Sequence, residues 1–179
     1  LFFLPDGVTG TVIATGGVNT DTGLANTLTL KAPKGSTVIN PLTTVVQQFV
    51  DDGQSVGEAQ TAVKGLFGLD AGLDLTTFDP LHPDNQNTSL GVQQVATQLA
   101  TIWAVADAAG SLSSFQQELL SMRDAYGVDP STFDLTRSNT LARLLGHDPA
   151  SLSADESAAV AQLQTTTTAI KNAASFDDI

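Results

Sequence analysis

The spacing of apolar residues changes near residue 40. Leu28 and Leu30 alternate with threonines, which is the two-residue period of a strand with one buried face. From Leu42 onward, apolar residues recur at intervals of three and four, the period of an amphipathic helix. The pattern therefore predicts an α+β chain in which a sheet comes first and helices follow.

Residues 1–39 carry the strand signals. The run LFFL ends at the turn sequence PDG, TVIAT follows as a second strand, and the alternating segment LANTLTLKA ends at PKG. Three or four such strands predict a partial antiparallel β sheet or β-sandwich with one apolar face. We expect residues 1–39 to form the first of two domains.

Residues 40–179 carry the signals of capped helices. Helix starts are predicted at Asn40 before Pro41, at Ser55 with Glu58, and at Ser153 with Glu156. Between these starts, apolar seams recur along the chain, the longest of them over about residues 89–109. The second domain is therefore predicted to be an antiparallel α-helical bundle of about six helices, three of them long.

Residues 69–88 form a predicted loop with two prolines and no sustained period. Loops of this length in compact domains are usually functional or disordered. Its aspartates could supply oxygen ligands to Ca²⁺, although their spacing does not fit an EF-hand. The residues of this calcium hypothesis are Asp70, Asp74, Asp79 and Asp84. The alternative interpretation is that they form turns and cap helices.

Two segments echo each other weakly. TTFDP at residues 76–80 and STFDL at residues 131–135 share the letters TFD, and each follows a predicted helix that ends at a glycine. We interpret the echo as one local device, an aromatic plug with an aspartate cap, rather than a duplicated domain.

Composition narrows the classes of function. Seven basic and nineteen acidic side chains give a formal charge of -12, which opposes binding to phosphate backbones and anionic lipids. The chain has no cysteine, so disulfides and thiolate chemistry are excluded. We expect no nucleic-acid binding and no membrane insertion. Abundant Asp, Thr and Gly with little Lys favours a secreted or cell-surface bacterial protein.

Residues suited to catalysis are few. His82 and His147 are the only histidines, both in predicted loops, and no G-x-S-x-G pattern accompanies them. Two loop histidines are also too few for a zinc site. We therefore expect no enzyme, although a hydrolase built around either histidine is a further hypothesis. A ligand pocket between helices could be lined by Trp103, Phe115, Met122 and Tyr126, although aromatic and Met residues on bundle seams are usually core.

The apolar start of the chain suggests a different kind of site. Leu1, Phe2, Phe3 and Leu4 would expose a sheet edge if the sheet is incomplete, and an exposed edge is a template for a strand from another chain. The expected partners are then other copies of the chain or neighbouring domains. The alternative is that this strand pairs within its own sheet.

A resemblance adds to these expectations. The segment LPDGVTGTVIATGGVNTDTGLANTLTLKAPKGSTVINPLTTVV, followed by GLDAGLDLTTFDP, resembles a module of very large bacterial secreted surface proteins of the adhesin-like and repeat-in-toxin-like kind. It covers about residues 4–80. The resemblance implies a small β-sandwich of carboxypeptidase-regulatory or immunoglobulin-like type, without catalytic residues. The family's D-x-N-x-N-G calcium segment is missing here.

The expected function is therefore a structural or adhesive module of an extracellular bacterial surface or matrix protein, with a role in self-assembly or adhesion. The alternative is a module that binds calcium or a small ligand without catalysis.

Overall fold

The computed structural model of the protein describes residues 10–17, 28–80, 86–126 and 133–179. Its β structure is a two-stranded antiparallel ribbon of β1 (Val12–Ala14) and β2 (Leu30–Ala32). Val12 lies opposite Ala32, Ile13 opposite Lys31, and Ala14 opposite Leu30.

The prediction of a partial β-sandwich was wrong. Within the described ranges the only sheet has two strands of three residues each, and most of the remaining chain is helical. A sandwich buries its apolar face against a second sheet, whereas here the ribbon packs on the first helix and Ala32 is fully buried. Strand alternation alone does not reveal which kind of element covers the buried face.

The helical bundle was predicted correctly. The helices are α1 (Pro41–Asp51), α2 (Val56–Phe67), α3 (Gln86–Ala108), α4 (Leu112–Tyr126), α5 (Ser138–Leu144) and α6 (Ala154–Lys171), followed by a 3₁₀ turn at Phe176–Asp178. The longest helix begins at Gln86, earlier than the predicted start near residue 89. Helices α1 and α2 begin where the predicted caps place their starts, at Pro41 and Val56.

The N-terminal caps explain why these helices start where they do. Asn40 Oδ1 accepts a hydrogen bond from the backbone N–H of Thr43, whose hydroxyl accepts one from Asn40 in return. The predicted pairs Ser55/Glu58 and Ser153/Glu156 form the same reciprocal capping box. Each box satisfies two backbone N–H groups that the helix itself leaves unpaired.

The core includes buried residues from all six helices, and most of its largest side chains come from α1, α3, α4 and α5. Trp103 and Phe115 are buried there, as predicted, with ring centroids 5.7 Å apart. Further large side chains that are fully buried in this core are Phe49, Leu99, Ile102, Leu119, Leu141 and Leu144.

Candidate functional site

The outer edge of the ribbon is set by how β2 meets α1. The backbone N–H of Lys31 donates a hydrogen bond to Thr44 Oγ1 at 2.9 Å. The carbonyl oxygen of Lys31 accepts from Thr43 Oγ1 at 2.9 Å and from Thr44 Oγ1 at 3.2 Å. Both backbone polar groups of Lys31 therefore face α1, and threonine side chains close the outer edge of β2.

This arrangement determines which way the backbone of Ile13 points. Two opposed residues in an antiparallel pair either exchange both backbone hydrogen bonds or exchange neither. Because Lys31 directs its groups at α1, Ile13 and Lys31 form a pair without backbone hydrogen bonds. The N–H and C=O of Ile13 then point away from β2, and no described residue supplies a partner for them.

The edge at Ile13 lacks the features that usually protect an exposed strand. Natural edges carry lysine, proline or a bulge, but residues 10–17 contain neither charge nor proline. The side chain of Ile13 is 59% exposed. Beside it, residues 36–39 and β1 line a small apolar cleft. We call the outer side of β1 at Ile13, which no described residue pairs with, the open edge.

The open edge was not among the predicted site residues. The predicted assembly edge, Leu1 to Leu4, lies outside the described residues, so that prediction remains untested. The segment TVIAT was predicted only as a second strand, without a role as an edge. Its uncharged sequence was the available signal, but only the contact between β2 and α1 shows that the backbone of Ile13 points away from β2, where no described residue pairs with it.

The aspartates of the calcium hypothesis participate in local turns. Asp70 Oδ1 accepts a hydrogen bond from the N–H of Gly72 at 2.7 Å. Asp74 Oδ1 accepts from the N–H and the hydroxyl of Thr76 at 3.0 and 2.6 Å. The hydroxyl of Thr76 contributes most to lowering the pKa of Asp74. These carboxylates have the turn-forming role of the alternative interpretation.

A converging set of ligands is not seen in the described part of the chain, where no three acidic or histidine residues group around one point. Asp79 lies in the turn region after Asp74. Asp84 falls outside the described residues, so the calcium site as a whole stays a prediction.

The two echoing loops share a further feature, a turn closed by an aspartate. Asp134 accepts from the N–H and hydroxyl of Thr136 at 2.9 and 2.7 Å, as Asp74 does from Thr76. The intervening Leu75 and Leu135 are both buried. Phe78 and Phe133 also pack against the core, as the predicted aromatic plug requires. The two loops therefore share an Asp-Leu-Thr turn with a buried leucine as well as a packed phenylalanine.

His147 forms part of a helix start. Its Nδ1 lies 2.9 Å from Glu156 Oε1, and Glu156 also accepts a hydrogen bond from the backbone N–H of Ser153. That backbone bond contributes most to lowering the pKa of Glu156. His147 therefore links the turn before α6 to the cap of that helix. His82 lies outside the described residues.

Comparison with known proteins identified no similar protein. No protein-family model, no curated protein and no solved structure matches the chain. Among the described helices, none is both long enough and apolar enough to cross a membrane. We therefore argue function from the geometry of the described residues.

Proposed function

We propose that the chain is a non-catalytic structural module of an extracellular bacterial surface or matrix protein, and that it joins a second copy of itself by strand addition at β1. The observation that carries this proposal is the outward-facing backbone of Ile13 on an uncharged strand. The extracellular, bacterial setting is supported by composition and by the resemblance to adhesin-like modules.

A second copy fits the open edge because the edge is self-complementary. If two β1 strands pair antiparallel across a two-fold axis at Ile13, each Ile13 faces the same residue of the other copy. Both residues direct N–H and C=O outward, so they can exchange two hydrogen bonds. The product is a four-stranded sheet in the order β2–β1–β1–β2.

The same geometry limits the size of this assembly. The outer edge of β2 is occupied by Thr43 and Thr44, so strand addition cannot continue on that side. A pairing across a two-fold axis is closed. Strand addition at β1 therefore makes a dimer rather than a fibre.

We expect this dimer to be weak and to depend on salt. A three-residue strand offers few hydrogen bonds, each worth about 0.5–1.5 kcal/mol net. Burial of the Ile13 side chain adds roughly 1.5–3 kcal/mol. Two chains of formal charge -12 repel each other, and salt screens that repulsion. Association should therefore strengthen as ionic strength rises.

Sedimentation velocity across a concentration series at high salt tests the proposal. The wild type should form a dimer, whereas Ile13→Lys should stay monomeric because it places a charge on the open edge. Val105→Lys is the matched control, since Val105 is the other large apolar residue exposed in the described structure, at 36%. A monomeric wild type at every concentration, or an Ile13→Lys variant that still dimerises, would refute strand addition.

A backbone-directed variant separates strand pairing from side-chain contact. Ile13→Ala keeps the N–H and the C=O but removes most of the apolar side chain, whereas Ile13→Pro removes the N–H. Strand addition predicts that the proline variant dimerises less than the alanine variant. Helical circular dichroism should be the same in both, because β1 contributes little to the helical core.

A further inference from the structure

A groove of about 650 Å³ lies between the β2 segment, α1, the end of α3 and α4. We call it the Trp103 groove. Trp103 forms part of its wall, with Asp107 one helical turn further along α3. The α4 side of the groove is lined by Leu112, Gln116, Gln117 and Leu120. The groove is separate from the open edge of β1.

Trp103 presents an unused hydrogen-bond donor. Its ring packs on Phe115 and only 6% of the residue is exposed. Buried tryptophans usually pair the indole N–H, yet no described residue accepts a hydrogen bond from this one. Trp103 thus combines an unpaired donor with a ring packed on Phe115 in the wall of the groove.

The carboxylates of the groove are largely compensated by nearby cations. Asp51 lies 3.8 Å from Lys31, and Asp52 lies 2.8 Å from Arg123. Only Asp107 among these three has no ion-pair partner in the described ranges. The groove therefore does not form a strongly anionic site for a bare cation, although its carboxylates disfavour anionic ligands.

Amide groups complete the polar wall. Gln48 on α1 donates a hydrogen bond to the backbone carbonyl of Gln116 on α4, which ties the two sides of the groove together. Gln116 and Gln117 are exposed, and Leu112 and Leu120 are half-buried beside them. Side-chain amides both donate and accept hydrogen bonds, and the leucines offer apolar surface.

We propose that the Trp103 groove binds a neutral polyhydroxylated ligand, a short oligosaccharide. Hydroxyl groups donate and accept hydrogen bonds. They therefore match an indole donor, a carboxylate acceptor and side-chain amides, which do both. The C–H faces of a sugar ring can pack on the leucines. The volume lies within the range of small-molecule sites. This binding does not depend on strand addition at Ile13.

The fluorescence of Trp103 provides a direct assay, because it is the only tryptophan of the chain. Maltotriose, cellotriose and chitotriose are titrated separately into the intact protein up to about 10 mM, a range that detects weak binding. A saturable change in emission with at least one of them is expected. No saturable change with any of the three overturns the proposal, and so does saturation by spermidine alone, which would indicate a cation site.

Two variants test the assigned groups. Asp107→Ala should weaken binding of the trisaccharide about tenfold, which corresponds to about 1.4 kcal/mol. Asp155→Ala is the matched control, because it removes an exposed carboxylate at the start of α6, outside the groove. Equal affinity of these two variants would overturn the role of Asp107.

The second variant is Trp103→Phe, which keeps an aromatic ring against Phe115 but removes the indole N–H. Isothermal titration calorimetry replaces fluorescence for this variant. Weaker binding at unchanged melting temperature supports the donor role. Unchanged affinity for the same trisaccharide refutes it. The melting temperature of each sample is measured alongside its affinity, so that a loss of binding caused by unfolding is recognised.

Discussion

Asp134, in the turn before α5, lies 3.0 Å from Lys171 at the end of α6, although thirty-seven residues separate them in the chain. The same carboxylate accepts two hydrogen bonds from Thr136. Burial raises the pKa of Asp134, but the bonds from Thr136 and the charge of Lys171 outweigh it, so the pKa is lowered. One side chain thus closes its own turn and joins it to α6.

We expect these aspartate turns to cause acid sensitivity. The pKa values of Asp74 and Asp134 are lowered from 3.8 in the folded protein. A lowered pKa contributes stability that is present above the unfolded value and lost as the pH falls through the folded value. The free energy of unfolding should therefore fall below pH 3.8. Urea unfolding from neutral to acidic pH measures this dependence.

The double variant Asp74→Asn/Asp134→Asn is the direct test of that assignment. Asparagine retains an acceptor for each threonine but does not titrate, so the loss of stability in acid should be smaller than in the wild type. If the unfolding free energy of the double variant falls in acid as much as that of the wild type, other carboxylates cause the acid sensitivity.

Glu118 is predicted to lower the stability of the fold at neutral pH, whereas Asp74 and Asp134 raise it. Burial on α4 raises the pKa of Glu118 from 4.5, and Arg143 only partly offsets this effect. A raised pKa means that the ionised carboxylate costs stability above pH 4.5, a cost that disappears as the pH falls below that value. Glu118→Gln should therefore raise the melting temperature at pH 7 and leave it nearly unchanged in acid.

Glu156→Gln is the contrasting variant for that experiment. The pKa of Glu156 is lowered by its bonds to Ser153, so its replacement should reduce stability at pH 7. If both glutamine variants shift the melting temperature at pH 7 in the same direction, the assignment of opposite electrostatic effects to Glu118 and Glu156 is wrong.

The threonines of α1 are expected to hold the ribbon in place. Thr44→Val keeps the shape of the side chain but leaves the N–H of Lys31 without its acceptor, which should cost about 1–3 kcal/mol. Thr61→Val is the matched control, because the Thr61 hydroxyl is exposed and donates only to Gly57 within its own helix. Urea unfolding measures both. Equal losses would show that the hydrogen bonds to Lys31 contribute nothing specific.

Gly146 is expected to tolerate alanine poorly for two separable reasons. Its φ of 83° favours glycine, and an added Cβ would lie 2.8 Å from Ser114 Oγ. Gly53 has a φ of 102° but open space around the added Cβ. Gly53→Ala should therefore cost about 1–2 kcal/mol from backbone strain alone, and Gly146→Ala clearly more. Thermal unfolding compares them, and a smaller loss at Gly146 would contradict the clash.

The helices of this protein were predictable because their signals are local. An N-cap and its partner lie three residues apart, as in Ser55 and Glu58, and an apolar seam repeats within two turns. Such signals do not depend on what the helix later packs against. The start of α3 was predicted less accurately because the sequence before it contains several residues that favour turns.

Residue pattern could not settle the architecture of the β part or the position of its open edge. Alternation in TLTLKA shows that one face is buried, but not that α1 rather than a second sheet covers it. The backbone of Ile13 points away from β2, to a side where no described residue pairs with it, because the Lys31 backbone bonds to Thr43 and Thr44 of α1. Likewise, the Trp103 groove joins three helices and a strand that are distant in the chain. Periodicity and capping act within a few residues, whereas the covering of a face and the pairing of an edge depend on contacts that form only when the whole chain packs.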